Sequence, residues 1–413
     1  MKAPLKEDIP LAIVGCDFRQ AATLFREQLV LTPTHRAELF RALQRVDPEA
    51  GFMALETCNR VEWLVTSDDP AWLAELLKAR MLQIWTENVP GSALVPQPSC
   101  FVGSAAVAHA LQVVAGLESL ALGEAQIAGQ FQDALNRAQE EKTASPILNR
   151  FGSAAGRLAK TAYRIGFRSN HRQGIHGLAV AFLLRQLPPS AGRHRIGVVG
   201  MGSIGRKAAH LLTEQPQMEV VPFNRTIRPE LHGSWRPLAE LPVAAADLDA
   251  LLLATGSLQP VLTAEMLNGM PRRTPLWVMD IGVPRQMDST LRSDPRIVYR
   301  SIDDLLALPQ EEADPDATAR LQEEIRKEKE RFTRFCLERD MSHLLDRIHQ
   351  GRQQYIHERL PLMVDEQLLC SNEQCRRHVV GAIKKCFNDY ANEVHQALQN
   401  ALEEYWSQND RSQ

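Results

Sequence analysis

The sequence predicts a multidomain α/β protein: an α+β N-terminal domain, a Rossmann-type dinucleotide domain, and a long spinal helix leading into an all-α C-terminal domain. Three observations carry this. Short apolar strands alternate with amphipathic segments over residues 10–140; a strand at Arg195–Val199 runs through Gly200-Met201-Gly202-Ser203-Ile204-Gly205 into a helical stretch; and beyond Asp314 apolar residues recur at helical spacing as far as Pro361. The expected divisions are 1–160, 161–308 and 309–413.

In the first part, strands are expected at Leu11–Val14, Phe52–Leu55 and Val61–Val65, with helices beginning near Thr34, over Ala71–Trp85, from Ser104 as N-cap to Val114, and over Ala125–Glu141. Between the last two lies a glycine-punctuated loop, Ala115 to Glu124. The most informative stretch is Thr57-Cys58-Asn59-Arg60-Val61-Glu62, which reads as a tight turn between two strands. Strand alternation would set Cys58, Arg60 and Glu62 on one side, where a cation beside the thiol favours the nucleophilic thiolate. A small buried cysteine is the plainer alternative.

In the middle part, the G-x-G-x-x-G turn sits after a strand and before a helix, where glycines permit close backbone approach and the helix N-terminus receives a pyrophosphate. Gly200, Met201, Gly202, Ser203, Ile204 and Gly205 are therefore the expected cofactor contacts. The second strand, Met218–Phe223, ends in Asn224-Arg225-Thr226. An Arg there, with no acidic residue for a ribose hydroxyl, suits the 2′-phosphate of NADPH. Strands at Leu251–Ala254 and Leu276–Met279 complete a doubly wound sheet, with ligand-facing loops at Thr255–Ser257 and Asp280–Arg285.

The third part opens with Asp314 as N-cap and Pro315 at the first helical position, and one helix of about forty residues is expected. After a capping box at Ser371 and Gln374, Val380, Ile383, Phe387, Tyr390, Val394 and Leu398 form an apolar stripe that predicts a homodimer through the C-terminal helices. Cys370, Cys375, His378 and Cys386 match no zinc spacing, so no metal is expected.

Composition narrows the classes. The 413 residues are 44% hydrophobic and 23% charged with a net charge of -3, an ordinary globular balance with no bulk positive charge to attract nucleic acid. Local patches would have to serve, and Arg157, Lys160, Arg164, Arg168 and Arg172 lie at spacings that one helix would carry as a basic stripe. Seven cysteines and no secretory h-region predict a reducing compartment, the cytoplasm, and no apolar run is long enough for a membrane span.

Together these motifs resemble the glutamyl-tRNA reductase family. Thr57-Cys58-Asn59-Arg60-Val61-Glu62 matches its Thr-Cys-Asn-Arg-x-Glu motif; Gly116-Leu117-Glu118-Ser119 and Leu122-Gly123-Glu124-Ala125-Gln126-Ile127-Ala128-Gly129-Gln130 resemble its second signature; His109 stands where the family has a histidine ten residues before that serine. The cofactor turn, Asn224-Arg225-Thr226 and a Val-Pro-Arg after Asp280 follow in family order. The resemblance implies a catalytic domain, an NADPH domain and a dimerisation domain. It also implies reduction of glutamyl-tRNA to glutamate-1-semialdehyde through a Cys58 thioester, the first step of tetrapyrrole biosynthesis.

On this resemblance Cys58 is the nucleophile and His109 a proton-transfer group. Thr57, Asn59, Arg60, Glu62, Ser119, Glu124, Ala125, Gln126 and Gln130 bind the aminoacyl group, with Arg60 as carboxylate clamp, and a glutamate-1-semialdehyde aminotransferase is the candidate downstream partner. Departures from the family pattern include Asp17-Phe18 for Asn-His, Gln112 for Arg, Ala125 for Pro, and Glu56 for a small residue. A carboxylate at Glu56 would oppose a thiolate unless it faced away or were paired. Two other readings stay open: a reductase of another aminoacyl-tRNA or acyl thioester, and a non-catalytic tRNA-binding or regulatory relative.

Overall fold

The structure, a computed structural model, describes residues 9–89, 95–120, 122–124, 126–167, 174–187, 193–226, 235–267, 274–307, 314–359 and 373–410. Ala125, Arg168, Arg172, Pro361, Cys370 and Ser371 lie outside them, as do the side chains of Gln374, Cys375 and Leu398.

β-Branched and aromatic residues in alternation build the first sheet from β1 (Leu11–Asp17), β2 (Gly51–Glu56), β3 (Arg60–Thr66) and β4 (Ser99–Val102), antiparallel in the order β2-β3-β1-β4. One face, with Ala12, Val14, Phe52, Ala54, Val61, Trp63 and Val65, is covered by apolar residues of α2 (Pro33–Val46) and α3 (Pro70–Asn88), which follow the short α1 (Thr23–Gln28). Thr32 and Asp69 cap α2 and α3, each accepting a backbone N–H, and a proline stands at the first position of both helices. The other face carries α4 (Ser104–Val114), α5 (Gln126–Glu140) and α6 (Pro146–Ile165). Gly103, with φ of 61°, takes the N-cap position expected of Ser104.

Register decides what faces where. Glu56 pairs with Val61, Gly15 with Glu62 and Asp17 with Arg60, and directly opposed residues share a face. Glu56 therefore lies on the α2/α3 side while Arg60 and Glu62 point toward α4. Its carboxylate accepts the Leu31 N–H at 2.7 Å and pairs with Arg137 at 3.5 Å and Arg36 at 3.8 Å. The carboxylate that threatened the nucleophile is thus turned away and neutralised.

Of the expected basic stripe, Arg157, Lys160 and Arg164 fall among the described residues, on α6. Gly166, left-handed at φ 81°, ends α6 after Ile165 in a C-terminal cap, and Arg157 is occupied by Glu328 at 2.8 Å. Lys160 and Arg164 are what remains of it on α6.

After α7 (Ile175–Gln186) comes a six-stranded parallel sheet of β5 (His194–Val199), β6 (Met218–Asn224), β7 (Arg236–Pro237), β8 (Ala250–Leu253), β9 (Leu276–Asp280) and β10 (Ile297–Ser301). Its order, β10-β9-β8-β5-β6-β7, is that of a dinucleotide-binding Rossmann sheet with the switch point between β5 and β8. The helix α8 (Ser203–Thr213) follows β5 directly. Near-continuous apolar strands reflect burial on both faces.

The helix Pro315–Gln354 has the expected length, and Asp314 caps it by accepting the Asp316 N–H at 3.0 Å. Leu321, Ile325 and Phe332 are buried, Phe332 lying edge-on to Phe151 of α6 at 5.2 Å. These residues belong to a first compact unit, Met1–Thr333; a second, Arg334–Gln413, holds the rest of that helix, a π-helical turn at Tyr355–Arg359 and the helix Glu373–Asp410. Within it the rings of Tyr355 and Phe387 lie 5.4 Å apart, and Phe387 and Tyr390 are exposed. No helix among the described residues is long and apolar enough to cross a membrane.

Gly15 is a critical contact in the first sheet, since a β-carbon there would sit 2.3 Å from the Val61 carbonyl oxygen and 2.6 Å from the Glu62 Cα. Gly15→Ala should therefore cost about 3 kcal/mol by forcing β1 and β3 apart. Urea unfolding would measure this; an unchanged midpoint would contradict the tight register.

Candidate active site

The hairpin between β2 and β3 turns through Thr57, Cys58 and Asn59. Thr57 N–H donates to the Arg60 carbonyl at 2.9 Å, while Thr57 Oγ1 accepts the N–H groups of Asn59 and Arg60, both at 3.2 Å. Phe18 N–H donates to the Asn59 carbonyl at 2.9 Å, tying the turn to the end of β1. A third anchor is Arg26 of α1, fully buried, whose Nη2 donates to the Cys58 carbonyl at 3.0 Å. The turn is thus fixed on three sides around Cys58, a residue that is half-buried overall.

Below the turn lies a buried charge network. Glu62 Oε1 accepts from Arg60 Nη1 at 2.8 Å and meets His109 Nε2 at 2.9 Å. Arg60 Nη2 also donates to the Glu118 carbonyl. Burial alone would raise the Glu62 carboxyl, but Arg60 and His109 hold it below its ordinary range. The His109 ring stacks on Phe101 at 4.0 Å, and its Nε2 serves Glu62. Arg60 is itself fully buried with both Nη atoms bonded internally, so the carboxylate clamp expected of it is not open here; its Nε has no partner among the described residues.

The 115–124 loop closes on itself through Gly123 N–H to the Gly116 carbonyl at 3.1 Å, and Gly116 at φ 80° lets Gly123 and Glu124 approach within about 3 Å of where a β-carbon would stand. Glu124 is buried and accepts the Ile175 N–H at the start of α7. Ser119 is buried on the same loop and Gln130 is half-buried on α5. Buried polar atoms without a partner collect on the residues around the turn: Arg26 Nε, Asn59 Oδ1, Arg60 Nε, and both amide atoms of Gln126. Groups of this kind are costly unless a ligand meets them.

The expected resting thiolate is not what this arrangement holds. Burial first, then the Glu124 charge, push the Cys58 thiol up to about 12, against Arg26 and Arg60, which favour ionisation. Burial likewise pushes Glu124 up to about 7, opposed by the Ile175 N–H, Lys207 and Arg60. The sulfur packs against the core of the dinucleotide domain, which includes Leu120, Met201 and Ile281. It lies where the two domains meet. His109, Glu62, Asp17 and Glu118 line a cavity of about 300 Å³.

The glycine turn fits a dinucleotide. Gly200 has φ of 93° and a β-carbon there would meet the Ala254 carbonyl at 2.7 Å; at Gly205 it would lie 1.8 Å from the Gly200 carbonyl oxygen; at Gly202 there is open space. These are a tight turn, a close helix approach and a gap for a pyrophosphate at the N-terminus of α8, which Ser203 and Ile204 begin. Asn224 Oδ1 accepts the Met201 N–H at 3.3 Å and its amide donates to the Thr226 carbonyl at 2.8 Å. Gly200, Met201, Gly202, Asn224, Arg225 and Thr226 line one cavity of about 740 Å³. The domain is built for a nicotinamide dinucleotide.

Sequence reasoning passed over Arg26, an ordinary Arg in a short polar segment, and Arg206, which adds a second cation to the dinucleotide cavity. A buried arginine carries no local signal; Arg206, directly after the glycine turn, could have been suspected from position alone.

Since Glu124 disfavours the thiolate, Glu124→Gln should move the pH midpoint of Cys58 alkylation down by about one unit. Iodoacetamide rates against pH would show this; an upward or absent shift would contradict the assigned charge coupling.

Residues 14–164 match the family model described as Glutamyl-tRNAGlu reductase, N-terminal domain, and residues 183–308 match that for Shikimate / quinate 5-dehydrogenase. The glutamyl-tRNA reductase of Geobacillus kaustophilus is 30% identical over 309 residues and that of Bacillus subtilis 29% over 310, each alignment covering 71% of this chain and 66% of the relative. The chain thus spans a little under two thirds of the length of these relatives. The solved glutamyl-tRNA reductase from Methanopyrus kandleri aligns with 95% of this chain and 99% of its own at 23% identity and a TM-score of 0.43, too loose a superposition to weigh in the assignment. With the nucleophile-type turn, the glycine-punctuated loop and the dinucleotide sheet in one order, residues 14–164 match the N-terminal domain of glutamyl-tRNA reductases, and the chain is similar to that family through its dinucleotide domain.

Proposed function

We propose that this protein reduces glutamyl-tRNA to glutamate-1-semialdehyde through a thioester on Cys58, the first step of tetrapyrrole biosynthesis. The observation that carries the reading is the position of Cys58, half-buried at the border of the dinucleotide domain on a turn where Arg26, Asn59 and Arg60 hold buried polar atoms with no partner among the described residues. An ester resists direct hydride reduction, whereas sulfur donates poorly into a carbonyl and leaves it electrophilic, so a cysteine divides one hard step into two.

In the first step the Cys58 sulfur attacks the acyl carbon, the bond to the terminal ribose oxygen breaks, and the thiol proton passes to that oxygen. His109 Nδ1 is the group suited to relay it, with Glu62 holding the ring from Nε2. Gln126, Ser119, Glu124 and Gln130 orient the amino group and side chain, and the buried Arg60 acts from behind the turn by its positive charge. Bound reduced nicotinamide supplies the hydride for the second step. There the acyl carbon becomes an aldehyde, the carbon–sulfur bond breaks and Cys58 regains a proton.

Arg225 and Arg206, both lining the dinucleotide cavity, support NADPH as the form used. In this reading residues 1–160 are catalytic, 161–308 bind NADPH, and 309–413 dimerise through the exposed Phe387 and Tyr390 stripe. Lys160 and Arg164 offer a small basic face to the tRNA, and the compartment is cytoplasmic. A reactive aldehyde product suits hand-over to a glutamate-1-semialdehyde aminotransferase.

Purified protein given glutamyl-tRNA and NADPH should oxidise the cofactor, and Cys58→Ser should lower the rate at least 10³-fold. Oxidation only with other aminoacyl-tRNAs would mean a changed substrate; tRNA binding without oxidation would mean a regulatory relative. Arg225→Gln should raise the KM for NADPH about tenfold and leave that for NADH nearly unchanged. Equal effects on both cofactors would remove the assignment of that guanidinium to the 2′-phosphate.

A further inference from the structure

Two adjacent residues of α1, Arg26 and Glu27, both cross from the catalytic domain to the dinucleotide domain, and neither belongs to the motifs that carry the chemistry. Glu27 accepts three hydrogen bonds from Arg285: from its backbone N–H at 2.9 Å, from Nε at 2.8 Å, and from Nη2. Arg285 stands on the loop after β9, at the carboxyl end of the sheet where such domains hold their ligands. One turn away, Asp303 accepts the Thr23 N–H at 2.9 Å and Thr23 Oγ1 at 2.8 Å, and pairs with Arg26 Nη2 at 3.5 Å. Arg26 in turn donates to the carbonyls of Ala21 and Cys58 and to Thr23 Oγ1.

The geometry is that of a linkage. Arg26 is fully buried, and a buried guanidinium needs a counter-charge. Asp303, on the other domain, is the carboxylate within pairing distance of it. Glu27, nearly buried too, has its counter-charge on the other domain as well, in a two-pronged arrangement that fixes orientation as well as distance. Both pairs are complete when the two domains are docked as they are here, and one member of the first pair is bonded to the peptide of the nucleophile.

We propose that α1 is the coupling element of the two-step reaction: Arg26 is a positioning residue that fixes the Cys58 peptide, and the Glu27–Arg285 pair sets the docking register that lines the acylated sulfur up with the cofactor loop. The inference rests on the thioester reading above. Breaking the pair leaves acyl capture, which needs the catalytic domain, largely intact and removes the alignment needed for hydride delivery. The stranded thioester is then consumed by water: the carbon–sulfur bond is replaced by a carbon–oxygen bond, free glutamate leaves and Cys58 regains a proton.

The test is the partition of labelled glutamyl-tRNA between aldehyde and free glutamate, at saturating NADPH, in wild type, Glu27→Gln and Arg285→Lys. Arg285→Lys keeps the charge and loses the fork, so it guards against a variant that fails to fold. The expected result is total deacylation within about threefold of wild type, with the aldehyde-to-glutamate ratio falling at least tenfold in both variants. Loss of deacylation and aldehyde together in folded protein, or an unchanged ratio, would overturn the coupling role. Wild type that never deacylates the tRNA would instead overturn the thioester reading itself.

Discussion

In the proposed reaction one sulfur has to meet two partners in turn, an ester carried by a large polyanion and a nicotinamide carried by a separate domain, and the features around Cys58 are read against that constraint. The hairpin turn fixes Cys58 by its backbone, through Thr57, Phe18 and Arg26, so that the side chain can serve both sides. The sheet behind it supplies Glu62, which orders Arg60 on one side and His109 on the other. The dinucleotide domain then closes against the thiol, burying it enough that it rests protonated.

The charges around the turn sort into two kinds. Arg36, Glu56, Arg137 and Glu141 form a structural cluster at the β2 edge of the sheet, where α2 meets the end of α5, with Arg36 and Glu141 paired at 2.7 Å. Arg60, Glu62 and His109 form the working cluster on the α4 side, and Glu124 guards it from the loop. Two residues of one hairpin, Glu56 and Arg60, thus carry opposite charges without meeting. The sheet itself is the barrier between them.

What could be read in the sequence was local. The hairpin, the glycine turn, the 40-residue helix and its Asp314 cap are each specified within a few neighbouring residues, and all stand where expected. Gly166 is a signal of the same kind, since a glycine after a helical run ends it, and here it closes α6 after Ile165. The face of Glu56 was not legible, because a three-residue turn resets the alternation and only the pairing of Glu56 with Val61 reveals the result. The protonated thiol was not legible either, since burial by a domain more than a hundred residues away outweighs the adjacent guanidinium. Arg26 with Asp303 and Glu27 with Arg285 are separated by 277 and 258 positions, beyond any reading of spacing.

The central claim, that the acyl group resides covalently on Cys58 before it is reduced, is open to direct weighing. Protein mixed with glutamyl-tRNA without any nicotinamide, quenched in acid and digested, should yield the Cys58 peptide heavier by one glutamyl residue, and NADPH added before the quench should discharge it. A Cys58 peptide that stays unmodified while the tRNA loses its glutamate would contradict the account.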